Sequence, residues 1–151
     1  MNFLRCMIVL SIFMVNFVFA CDQHVAFSPK ERVDIEAWTK DQRLFVEIRS
    51  SGNIKIYDFE FDTEKKINLT INDFNFDGYT DISVRHIDDG MGIFTISRVF
   101  IFSPVSDSFY EIFPSCGEQF LNLKIDAGDK KLLSSYFKNN VPVVCETYSK
   151  N

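Results

Sequence analysis

The chain has 151 residues, with 16 Lys and Arg against 21 Asp and Glu and a formal net charge of −5. That balance opposes nucleic-acid binding, which needs clustered Lys and Arg on phosphates, and suits a cation or a basic protein drawn in by charge. With 46% hydrophobic residues, 17 Phe among them, a chain of this length can bury a full core as one domain.

Residues 1–20 combine one positive charge, Arg5, with an apolar run from Met7 to Val15 and a small final residue, Ala20. This is the pattern of a secretory signal peptide. Asn16 cuts the run short of the roughly 20 apolar residues that a membrane span needs. Cleavage would leave residues 21–151 as a single domain, one unit more negative because Arg5 is lost and no acid goes with it. Cys6 also departs, leaving Cys21, Cys116 and Cys145, an odd set that strands one thiol in an oxidising compartment. The stretch Val18-Phe19-Ala20-Cys21 resembles a bacterial lipoprotein cleavage motif. On that reading a lipid on Cys21 attaches the protein to the membrane, and Cys116 pairs with Cys145. Ordinary cleavage after Ala20 suits the same residues, and two buried free thiols are the alternative to the bridge.

The mature region breaks into short runs of β-branched and aromatic residues. Residues 28–38 (SPKERVDIEAW) are ambiguous: Ser28, Pro29 and Glu31 stand in capping-box order for a short helix, while Val33, Ile35 and Ala37 alternate like a strand. Strand patterns follow at 43–49, 53–59, 66–72, 80–87, 94–102, 108–113, 120–125, 131–137 and 141–148. In several, apolar residues recur at every second position, as in Leu44, Val46 and Ile48 or Ile67, Leu69 and Ile71, the mark of a half-buried strand. Turn-like joints such as SSGN, SPVSDS, DAGD and KNN separate them. About nine short strands predict an all-β antiparallel domain, a sandwich or a small barrel-like body, with Phe side chains filling its centre.

Between two of these strands lies DFNFDGYTD, residues 73–81. Numbered as a calcium loop, Asp73, Asn75 and Asp77 take positions 1, 3 and 5, and Gly78 takes the sixth. Tyr79 offers its carbonyl at 7 and Asp81 its carboxylate at 9. Ca²⁺ takes six to eight oxygens, and a glycine at the sixth place lets alternating side chains converge on one point. An EF-hand would need Glu at position 12, where Val84 stands, and both flanks are strand-like. The loop therefore resembles the strand-loop-strand calcium sites of integrin-type β-propellers. The competing reading is an Asx-rich turn whose carboxylates cap backbone amides. An echo at Asp58, Glu60 and Asp62 lacks the glycine and reads as an acidic strand edge.

Catalytic sets are missing from the sequence. His24 and His86 have no companions at zinc-ligand spacing, and there is no nucleophile elbow or phosphate-cradling loop. Acid pairs such as Asp88 and Asp89 arise freely in so acidic a chain. The residues point to a non-enzyme.

The segments INDFNFDGYTDISV, VFIFSPVSDSFYEI and LKIDAGDKKLLSSYF are similar in order and spacing to a family of small exported bacterial proteins with an Asp-x-Asn-x-Asp-Gly-Tyr-x-Asp loop, related to periplasmic lysozyme inhibitors and immunity proteins. The resemblance spans roughly Lys66 to Phe137. It implies a compact sandwich-like or distorted propeller-like β fold with a structural calcium, in the bacterial periplasm. It also implies that a peptidoglycan hydrolase is the partner, blocked by a loop that follows the strand after the calcium site. Here that loop holds Asp88, Asp89, Gly90, Met91, Gly92 and Phe94, with Asp88 and Asp89 placed to reach into the target's cleft; the competing reading of 88–92 is a flexible hairpin connection. Phe94 stands where the family carries Tyr. The alternative function is a cell-envelope structural or adhesin-like module in which calcium only staples the fold.

Overall fold

The computed structural model describes residues 22–148, so segment 1–20, read above as a signal peptide, and Cys21 lie outside the described residues. The chain folds into eleven strands: β1 (His24–Lys30), β2 (Val33–Lys40), β3 (Arg43–Ser50), β4 (Asn53–Glu60), β5 (Asn68–Asn72), β6 (Asp81–Ile87), β7 (Thr95–Ser103), β8 (Ser108–Ile112), β9 (Phe120–Asp126), β10 (Lys131–Lys138) and β11 (Val141–Tyr148). All pairings are antiparallel. The expected all-β class holds, with two more strands than the runs suggested.

The additional strands come from the ambiguous N-terminal stretch. Val33, Ile35 and Ala37 are buried while Asp34 is exposed and Glu36 and Trp38 are half-buried. Burying that period-two face outweighs a single capping box, so β1 and β2 form a hairpin and no helix starts at Ser28. β1 to β4 form a meander. Its β2–β3 and β3–β4 turns each hold two residues with positive φ: Asp41 and Gln42 at 47° and 58°, Ser51 and Gly52 at 48° and 82°. That conformation matches the twist of the flanking strands and fixes their register.

The second sheet has the order β11-β10-β9-β7-β6-β5, with β8 also paired to β7. β7 is its central strand. β6 covers one edge, while β9 covers the start of the other edge and β8 its end. Val99, Phe100, Ile101 and Phe102 are all buried, so this strand has no solvent face. Phe100 and Phe102 pack between the sheets with Ile35, Leu44, Val46 and Ile82. Val99 and Ile101 pack on the opposite side with Phe74, Phe120 and Leu132. A continuous apolar run is what a strand covered on both faces requires.

Cys116 and Cys145 stand at disulfide distance, their Cα atoms 5.9 Å apart. The bridge ties the connection between β8 and β9 to β11. Closing a loop of this length stabilises the fold by about 3.6 kcal/mol in the chain-entropy account.

At one end a polar clasp joins the sheets. Asp107, in the β7–β8 turn, has Oδ1 2.6 Å from Lys30 Nζ and accepts from Ser50 Oγ at 2.5 Å. Lys55 Nζ donates to the carbonyls of Ser106 and Asp107. Lys30 first and Ser50 second hold the Asp107 carboxyl below its ordinary value of 3.8. The charged form is thus favoured by folding. Its contribution is complete above pH 3.8 and disappears as pH falls through the depressed folded value. Asp107→Asn is expected to cost about 1–3 kcal/mol at pH 7 in urea unfolding, with the gap to the unmodified protein closing in acid. Equal stability at pH 7 would contradict the clasp.

Candidate functional site

The segment 73–81 turns its two residue types in opposite directions. Phe74 is buried with Val99, Ile101, Phe120 and Leu132, and Phe76 packs on the same cluster. Asp73, Asn75 and Asp77 alternate with them, and their oxygens gather the loop's own amides. Asp73 accepts from Asp77 N at 3.1 Å and from Gly78 N at 2.9 Å. Asn75 Oδ1 accepts from Asp77 N at 3.2 Å, and Asp77 Oδ1 accepts from Tyr79 N at 2.9 Å. Gly78 has φ +90°, a conformation that costs a residue with a side chain far more than glycine. The Tyr79 ring tilts against Phe102, centroids 6.1 Å apart, and packs on the cluster between the sheets. Phe74 and Tyr79 therefore anchor the loop on both sides of the second sheet.

Asp81 is fully buried. One oxygen accepts from Phe74 N and the other from Phe102 N, each at 2.8 Å. The carboxylate joins the start of the loop to the central strand. Burial pushes its pKa up to about 7, against the two amides, and the nearby charges of Asp77 and Asp73 raise it further. Among the described residues no cation offsets that burial.

The donor set is suited to a hard cation. Asp73, Asn75, Asp77 and Asp81, with the Tyr79 carbonyl, offer oxygen alone, and no Lys, Arg or His lies within 73–81. Among the described residues no group of three His, Cys, Asp or Glu is already placed to hold an ion. Asn75 Nδ2 donates to Asp77 Oδ2 at 2.7 Å, so this side chain must rotate to turn its oxygen inward. The hydrogen bonds are those of the Asx-rich turn. They also leave lone pairs on each carboxylate, since an ionised oxygen accepts more than one bond.

In the β6–β7 connection one oxygen each of Asp88 and Asp89 binds the protein itself. Asp88 Oδ1 accepts from Gly92 N at 2.5 Å, and Asp88 N donates to Phe94 O at 2.9 Å. Asp89 Oδ1 accepts from Thr63 Oγ1 at 2.9 Å and from Glu64 N at 3.1 Å, fixing the loop to the end of the first sheet. Burial would raise Asp89, but these hydrogen bonds outweigh it and hold the carboxyl below its ordinary range. Phe94 meets Phe137 edge-on, centroids 5.4 Å apart. Gly90 and Gly92 allow the tight reversal, Gly92 at φ +70°. Beside the exposed Asp89, the connection presents apolar side chains to solvent: Ile87 is 51% exposed, Met91 84% and Ile93 58%. Ile87 and Ile93 were missed in the sequence, where the acids drew attention; an isoleucine beside Gly-Met-Gly in a turn was the available signal.

Comparison of the chain with protein-family models, curated proteins and solved structures gave no match.

Ca²⁺ at 73–81 is expected to raise the unfolding temperature, with about 2.7 kcal/mol added at 100 times its dissociation constant. Asp73→Asn and Asp77→Asn should each abolish that calcium-dependent rise in thermal unfolding while the protein without metal stays folded. A rise that both variants retain would place the ion elsewhere.

Proposed function

We propose that this protein is an exported, non-catalytic binding protein of the bacterial periplasm that inhibits a peptidoglycan hydrolase by seating the β6–β7 hairpin in its cleft. Calcium at 73–81 would supply positive charge to the three carboxylates there. Export rests on the pattern of residues 1–20, and membrane attachment on a lipid at Cys21. The choice of target rests on the resemblance of the 66–137 region to lysozyme inhibitors and immunity proteins.

The observation that carries the proposal is the organisation of the hairpin. Asp88 Oδ1 is bound by the Gly92 amide, and Asp89 Oδ1 by Thr63 Oγ1 and the Glu64 amide. A loop held in this way loses little conformational entropy when a partner encloses it. Ile87, Met91 and Ile93 then supply the apolar area whose burial drives association, about 1.5–3 kcal/mol for each side chain fully covered. The net charge of −5 would speed encounter with a cationic hydrolase.

The test is lysis by a panel of lysozymes and muramidases mixed with the mature protein. At least one enzyme should be inhibited. The double variant Met91→Asp/Ile93→Asp, which changes only exposed side chains, should weaken that inhibition at least tenfold without altering thermal unfolding. Undiminished lysis across the panel, or a variant that inhibits as well as the unmodified protein, would contradict the proposal.

A further inference from the structure

An edge strand carries a row of unpaired amides and carbonyls that invites another strand, and folds guard against this with short edges, bulges, prolines or lysines. The other edges of this molecule are guarded. β1 holds Pro29 and a register shift between Phe27 and Lys30. β5 and β8 are only five residues each, and the Leu69 amide of β5 is taken by Gln23 Oε1. In β11, Lys138 and Val141 flank a two-residue turn with φ 53° and 62° at Asn139 and Asn140. Residues that flank such a turn bond to each other, so the next one, Pro142, faces the open side, where its missing N–H leaves a gap in the row.

β4 has none of these devices. It runs for eight residues in unbroken register with β3 and contains no proline. Its lysine is engaged elsewhere: Lys55 Nζ donates to the carbonyls of Ser106 and Asp107 at 2.7 and 3.1 Å. The turn rule also shows which groups are open. Ser50 and Asn53 flank the Ser51-Gly52 turn, so Asn53, Lys55, Tyr57 and Phe59 bond to β3, while Ile54, Ile56, Asp58 and Glu60 turn their amides and carbonyls outward. The Glu60 carbonyl, which accepts from Arg98 Nη1 at 2.8 Å, and the Phe61 amide, which donates to the Gln42 carbonyl at 3.0 Å, follow the same alternation.

Ile54, Ile56 and Asp58 remain as the open positions, and no hydrogen bond among the described residues reaches their backbone on that side. Their side chains face away from the core, opposite Arg49, Glu47 and Phe45. Ile54 is 62% exposed and Ile56 65%. Asp58 brings no unpaired charge, since Arg43 Nε and Nη2 bind its two oxygens at 2.9 and 2.8 Å.

We infer that β4 pairs antiparallel with β4 of a second copy of this chain, about a two-fold axis at Ile56. The open positions are symmetric about that residue, so the axis sets Ile56 opposite its own counterpart and Ile54 opposite the partner's Asp58. Every open amide and carbonyl then finds a complement. Moving the axis to Lys55 would set Asp58 opposite the turn at Gly52, and moving it to Tyr57 would set Ile54 opposite the Glu60 carbonyl that Arg98 already holds. The isoleucines of both copies join in one apolar patch shielded from water. The inference is independent of the proposed function, because none of these positions belongs to the β6–β7 connection.

The test is sedimentation equilibrium of the mature protein, carrying Cys21→Ser so that no bridge can join copies, together with amide exchange resolved by residue. The protein should dimerise reversibly, and the Ile54, Ile56 and Asp58 amides should exchange at least tenfold more slowly in millimolar than in micromolar samples. Ile56→Lys and Ile56→Glu, at an exposed position, should each give a monomer whose thermal unfolding in dilute solution is unchanged. Mixing the two variants should restore the dimer, because opposite charges then meet at the axis. A monomer at millimolar concentration, a dimer that both variants retain, or slow exchange of the three amides that does not depend on concentration would overturn the inference. So would protection that appears only when a hydrolase is added, which would give the edge to that protein instead.

Discussion

The carboxylate of Asp81 is the junction on which this architecture depends. It is fully buried, and its two oxygens take one amide from the loop that follows β5 and one from β7. Charge-assisted bonds of this kind are worth about 1.5–3 kcal/mol each, whereas an unpaired buried carboxylate would be strongly destabilising. The same junction places Phe74 in the cluster beneath β7 and Tyr79 against Phe102 above it. The connection between β5 and β6 is thus fastened to the middle of the sheet. The gathering of Asp73, Asn75 and Asp77 follows, since Phe74 and Phe76 turn inward between them.

β7 carries this constraint to the rest of the molecule. Its first residues form the return arm of the hairpin that presents Met91 and Ile93, and its last residues lead to Asp107, which closes the two sheets at the other end. Arg98, between these points, stacks over Phe61 at 4.7 Å and binds Glu111. The hairpin and the Asp-rich loop are separate features on one support, the arrangement that positions side chains most reliably. The hairpin forms the contact surface proposed for a cleft-bearing partner.

Much of the fold was legible because alternation is a local signal. Leu44, Val46 and Ile48 declare a strand from their own spacing, whereas the burial of Val99 to Phe102 on both faces emerged only from the two clusters around them. The pairing of Cys116 with Cys145 was expected only on the reading that sets Cys21 aside as a lipid carrier, since three cysteines do not pair by parity. The 28–38 stretch was less legible because one capping box and one alternating face point to different structures, and only the partner strand β3 decides between them. The Asp-rich loop could be recognised as a motif, but the direction of its hydrogen bonds could not, since Phe102 lies 21 residues from Asp81. Nothing in the sequence marked Gly92, Thr63 and Glu64 as partners of Asp88 and Asp89, and Thr63 and Glu64 lie 26 and 25 residues from Asp89.

The most direct test of the central junction is native-state hydrogen exchange at the Phe74 and Phe102 amides, measured with and without calcium. Bonded to the two oxygens of one buried carboxylate, both should exchange as slowly as the β6 and β7 core amides, and calcium should slow the two by a similar factor. Rapid exchange at Phe74 beside a protected Phe102, or protection of one amide alone on adding calcium, would show that Asp81 does not fasten the loop to the central strand.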